Sequence, residues 1–191
     1  MTFQKATLFL CALATLAIVV PSAQATESNR KTIVTFNEPV EIPGLVLEPG
    51  SYVFTLLDSN MDRDIVEIFD RNEDHLYANL LAIPDERLKP TSKTVITFEH
   101  RAPDSPEAIK AWFYPGSDEG LLFVYPKERA RQLARLNKTE VMSMPSTMQR
   151  HITTPTKSAG DSHVQAMKKA HVTAISETGS EREVKTGPAK H

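Results

Sequence analysis

Between residues 32 and 125 apolar side chains recur with a period of two, in short runs about ten residues apart, each run ended by turn-forming residues. Residues 32–36 place Val34 and Phe36 on one face, and Val40 with Ile42 begins a second run. The inward face then swaps across Pro43-Gly44 before Leu45 and Leu47. Pro followed by Gly suits the centre of a type II turn, while the face swap equally fits a bulge or kink in one bent strand. Pro49-Gly50 turns the chain into residues 51–57, where Tyr52, Phe54 and Leu56 share a face. Further strands are expected at 65–69, 76–83, 94–100, 109–114 and 121–125. No long helical period intervenes, so the expected fold is all-β: a single antiparallel β-sandwich or small barrel. The run 76–83 (LYANLLAI) is apolar on both faces, which marks it as a central strand covered twice.

The densest stretch is 107–136, which holds the only Trp and five of the eleven aromatic residues that follow residue 25. It reads as strand, turn, strand, helix. Ile109, Ala111 and Phe113 alternate with Lys110, Trp112 and Tyr114, residues 115–120 turn, and Pro126 opens a short helix. Ala130, Leu133 and Ala134 form that helix's apolar stripe, with Leu136 beside it, and Lys127, Arg129, Arg131, Arg135 and Lys138 line the rest. Two leucines make a thin face for a membrane, so the helix is expected to close one end of the domain.

Residues 1–5 carry one positive charge, residues 6–20 are apolar, and Ala23-Gln24-Ala25 supplies a small-residue cleavage site. This is the plan of a secretory leader over residues 1–25. The apolar run of about 15 residues falls short of the roughly 20 that a spanning helix needs. Cys11, the only cysteine, lies inside the leader, so the mature chain has no disulfide, thiolate metal site or cysteine nucleophile. Composition then divides the remainder. Residues 26–138 carry 14 Lys+Arg against 19 Asp+Glu, a formal charge of −5 (14 − 19), and all the remaining aromatics. Residues 139–191 have 7 against 5, no aromatic, and four of the six histidines. With so little apolar area this tail is expected to be disordered and dispensable for folding. Only 163–175 shows near-helical spacing, at Val164, Met167, His171 and Ile175.

The segments VEIPGLVLEPGSYVF (40–54), AIPDERLKPTSKTVITFE (82–99), EAIKAWFYPG (107–116) and FVYPKERARQLA (123–134) resemble those of an uncharacterised family of small exported bacterial β-domain proteins with no established activity. The resemblance implies export and one small domain, and it assigns no site.

Candidate chemistry is sparse. No nucleophile elbow, phosphate loop or His-Glu-x-x-His is present, and no cofactor is implied. Asp58, Asn60 and Asp62, and again Asp70, Asn72 and Asp74, open like calcium loops, but Arg63 and His75 stand where Gly is needed. Both are expected to be polar turns, with a weak calcium site shared between them as the alternative. Trp112 and Tyr114 either stack on a sugar ring or a partner's apolar segment, or lie under the helix with Trp112 against Leu133. His75 and His100 are expected at strand edges facing solvent. The negative domain lacks a basic stripe with interleaved aromatics, which excludes nucleic-acid binding. Two function classes remain. One is an exported, non-enzymatic β-domain of the cell envelope or extracellular space, structural or binding a protein or polysaccharide. The other is a hydrolase of envelope polymers using Asp85 with Glu86 or Asp118 with Glu119. The leader predicts that the mature chain begins at Thr26. N-terminal sequencing of exported protein checks this, and an intact Met1 would contradict it.

Overall fold

A computed structural model describes residues 31–60, 63–99 and 105–184. The leader, Asp62 and His100 therefore lie outside the described residues. β1 (Lys31–Phe36) is followed by β2 (Val40–Ile42), β3 (Leu45–Leu47), β4 (Gly50–Asn60), β5 (Arg63–Asp70), β6 (Leu76–Glu86), β7 (Val95–Glu99), β8 (Glu107–Phe113) and β9 (Glu119–Phe123). Their main ladder runs β1-β4-β5-β6-β9-β8, with β7 also on β8. Every pairing is antiparallel except that of β2 with the start of β8, where Val40 stands opposite Glu107. β2 and β3 form a hairpin, so Pro43-Gly44 is the tight turn and not a kink, with Gly44 at φ 88°. The rings of Phe36 on β1 and Phe98 on β7 lie 6.3 Å apart. The sheet thus curls until side chains of opposite edges meet, yet no ladder joins β1 to β7 among the described residues. Among the described residues the small barrel is not closed.

The curl encloses the main core. Tyr52, Phe54, Val66, Ile68, Ala78, Leu80, Leu121, Phe123, Trp112 and Tyr114 are all buried in it. Trp112 is 0% exposed, edge-on to Phe54 at 5.7 Å and tilted on Tyr114 at 4.6 Å. A bulge sets which earlier residues of β8 share its face. On β7, Thr97 stands opposite Ala111 and Phe98 opposite Ile109, so Lys110 has no partner there and the alternation of β8 shifts by one. Ile109 therefore joins Trp112 in the main core, while Ala108 turns to the other face. Strict alternation had placed Ile109 and Trp112 on opposite faces.

The largest correction concerns residues 139–191, expected to be disordered: residues 139–184 are folded, and 185–191 lie outside the described residues. After β10 (Tyr125–Pro126) and α1 (Lys127–Asn137) come β11 (Val141–Met144), a 3-10 turn (Ser146–Met148), α2 (Gln149–Ile152), α3 (Ser162–Lys168), β12 (Thr173–Ile175) and β13 (Glu181–Glu183). A second sheet forms in the order β10-β11-β12-β13. Residues 145–170, the strap, lie across the outer face of β5 and β6. Ile152, Val164 and Met167 are fully buried there and join the main core. Gly44 helps, since a Cβ on it would stand 3.2 Å from Cγ2 of Ile152. The apolar second face of 76–83 is thus covered by the part of the chain that carries no aromatic residue. Arg63 donates to the carbonyls of Lys168 (2.7 Å) and Ala170 at the end of α3, and Lys168 pairs with Asp58.

α1 begins after Pro126 as expected, and Ala130, Leu133 and Ala134 are buried while Leu136 is exposed. They pack with Ala108, Tyr125, Val141 and Ile175, not with Trp112. The bases of α1 bind the fold together. Arg129 forms a fork on Glu41 with a 2.7 Å bond from Nε, and Lys127 and Arg131 both reach Glu181 of β13 at 2.8 Å. Trp112→Ala should cost about 3–5 kcal/mol, as truncation of a buried large aromatic does. In urea unfolding of single and double mutants it should couple to Phe54→Ala and add independently to Leu133→Ala. Coupling to Leu133 alone would contradict this packing.

Candidate functional site

Most sequence candidates are absorbed by the fold. Trp112 and Tyr114 share the main core, so neither side chain presents a stacking surface. Asp58 on β4 stands opposite Ile65, five residues from Asp70 at the end of β5, about 17 Å at roughly 3.3 Å per residue, too far to share an ion. Asp58 is engaged by Lys168, and Asn60 closes β4. Asp70 accepts from the backbone N–H of His75 at 3.0 Å, while Asn72 and Asp74 are exposed in that turn. His75 is exposed and lies edge-on to Tyr77 at 4.5 Å. The acidic pairs meet across a ladder, which the sequence did not show: Asp85 pairs with Gly120, and Glu86 with Glu119. Glu86, Asp118 and Glu119 are exposed, so no enclosed site surrounds them.

Two arrangements at the strap were missed. The first is Glu67 on β5 opposite Asn79 on β6, both buried beneath it. Asn79 Oδ1 accepts the backbone N–H of Thr156 at 2.7 Å, and Lys157 stands 5.0 Å from the ring centre of Phe69. Glu67 Oε1 and Asn79 Nδ2 have no hydrogen-bond partner among the described residues. Burial pushes the Glu67 carboxyl up to about 7; Lys157 pulls it down and Glu73 pushes it up further. The sequence signal was a single Glu inside IVEIF and a single Asn inside LYANLLAI, each a polar residue in a strand too apolar to be open.

The second is a histidine pair. His151 on α2 and His163 on α3 approach with their Nδ1 atoms 3.0 Å apart and ring centres 5.0 Å apart. Arg150 Nε donates to His151 Nε2 at 3.3 Å. Burial lowers the His151 pKa below its usual value, and the neighbouring Arg150 and His163 lower it further. Asp161 caps α3 by accepting the N–H of His163 at 2.8 Å. Twelve residues separate the two histidines, a spacing without a helical period, so only the fold joins them. No group of three or more His, Cys, Asp and Glu side chains able to hold a metal is found among the described residues. No described helix is long and apolar enough to cross a membrane. No protein-family profile, curated protein or solved structure matches the chain.

Glu67 gives a signed pH dependence. Between pH 4.5 and 7 the folded state keeps a proton that the unfolded state has released, so this group's contribution to stability falls as pH rises through that window. Glu67→Gln keeps the shape and removes the titration. In urea unfolding at pH 8 it should gain about 1–3 kcal/mol over wild type, the order of magnitude that a carboxyl raised from 4.5 to about 7 implies. At pH 4 the gain should vanish; equal effects at both pH values would contradict a buried carboxyl.

Proposed function

We propose that the protein is an exported β-domain of the cell envelope or extracellular space that acts by binding a protein partner, without catalysis. Export rests on the leader-like residues 1–25. Ile33, Val46, Leu88 and Leu136 are the large apolar side chains exposed among the described residues, and the observation that carries the binding reading is that two of them stand on strands. Ile33 on β1 is 57% exposed and Val46 on β3 is 47% exposed, and both strands end the path of the large sheet. An edge strand offers unpaired N–H and C=O groups to an extended segment of another chain, and an exposed side chain beside them adds apolar contact. The aromatic residues that would stack on a polysaccharide are instead in the core, which favours protein among the two partner classes. The overall arrangement is read as sandwich-like: a curled sheet with the strap and second sheet laid against its outer face.

The hydrolase alternative draws on Glu86 opposite Glu119, whose carboxylates the β6–β9 ladder brings to neighbouring positions. Immobilised mature chain exposed to envelope extract separates the two. Ile33→Lys places a charge on an exposed edge and should leave stability within about 1 kcal/mol, while a protein retained by wild type is lost. Equal retention by the variant would overturn the edge reading. Turnover of an envelope polymer that disappears in Glu86→Gln would establish the hydrolase instead.

A further inference from the structure

We propose that His151 and His163 form a two-point chelate for a divalent transition-metal ion, of the copper(II) or nickel(II) class, with water in the remaining positions. The argument begins with spacing. Two imidazole nitrogens about 2.05 Å from one ion stand about 2.9 Å apart at a right angle and about 3.3 Å apart at the tetrahedral angle. The Nδ1 atoms are 3.0 Å apart, which fits adjacent corners of a square or octahedral ion. Both rings are held by neighbours in sequence. His151 precedes Ile152 and His163 precedes Val164, and neither Ile152 nor Val164 has any exposure. The α2 and α3 backbones are therefore fixed by apolar packing that does not depend on the histidines. His163 is half-buried, which leaves one side of the pair open for an ion and its waters.

Protons balance as follows. The bond from Arg150 Nε to His151 Nε2 leaves that nitrogen unprotonated, so neutral His151 carries its proton on Nδ1 and donates it to His163 Nδ1. An ion takes both Nδ1 lone pairs. The His151 proton leaves Nδ1 for solvent and one is taken up at Nε2, and the Arg150 bond opens. His163 stays neutral with its proton on Nε2, so binding releases no net proton. The guanidinium charge of Arg150 opposes the ion, and a neutral residue in its place favours it.

Calorimetric titration of the full mature chain with nickel(II) chloride, and separately copper(II) chloride, tests this. Wild type should take up one ion per chain. His163→Ala should bind at least tenfold more weakly, Arg150→Gln several-fold more tightly, and His171→Ala, at an exposed position paired with Glu183 at 3.4 Å, as wild type. Circular dichroism confirms that each variant is folded. On wild type alone, a substoichiometric amount of copper(II) should broaden the ring resonances of His151 and His163 and spare those of His75 and His171. Unchanged affinity in His163→Ala, uptake of neither ion, or broadening centred on another histidine would overturn the proposal.

Discussion

Strand β6 carries apolar side chains on both faces, and such a strand is stable only when water is removed from both. Ala78, Leu80 and Ala82 point into the curled sheet, while Leu81 and Ile83 point outward, and all five are buried. The inner cover costs the chain nothing extra, because the sheet curls over its own aromatic residues. The outer cover comes from the strap, which begins about sixty residues later in the chain. Burying one leucine or isoleucine contributes about 1.5–3 kcal/mol, so Ile65, Leu81, Ile152, Val164 and Met167 together outweigh the part-buried ion pair of Lys168 with Asp58 beside them. Arg63 on the α3 carbonyls and Lys168 on Asp58 set where the strap docks; the apolar contact is what holds it.

The strap is irregular between α2 and α3, and irregular backbone under a sheet face leaves amide groups without a ladder. Asn79 answers that need by accepting from Thr156. The polar residue in β6 is thus matched to the segment that covers it. Glu67 opposite is the cost of the same arrangement. Its carboxyl is buried without a hydrogen bond to Oε1 among the described residues, and the fold tolerates it by holding it protonated further up the pH scale.

The strands of the large sheet were legible from the two-residue period or, in β6, from an apolar run bounded by turn residues, and the helix after Pro126 because Ala130, Leu133 and Ala134 mark one stripe. The strap was not legible, and the reason is length. α2 spans four residues and α3 seven, so the only window of the tail with a helical spacing is 163–175, of which α3 keeps just Val164 and Met167 on its buried side, and each element docks singly on a surface built by others. The clue lay elsewhere, in the second apolar face of β6, which required a cover that the residues before 139 could not supply. Alternation puts Ile109 on the face opposite Trp112, and it joins Trp112 instead because a one-residue bulge at Lys110 leaves no mark in the sequence. The histidine pair could not be read at all, since its two members meet only through the packing of Ile152 and Val164.

Hydrogen exchange of the mature chain, read amide by amide, tests most directly whether the strap belongs to the core. The helical amides of α3, such as the Gln165 N–H bonded to the Asp161 carbonyl at 2.9 Å, should exchange only in the cooperative opening that also releases β5 and β6. Exchange of α3 at the rate of an unstructured peptide, with β6 still protected, would contradict the account.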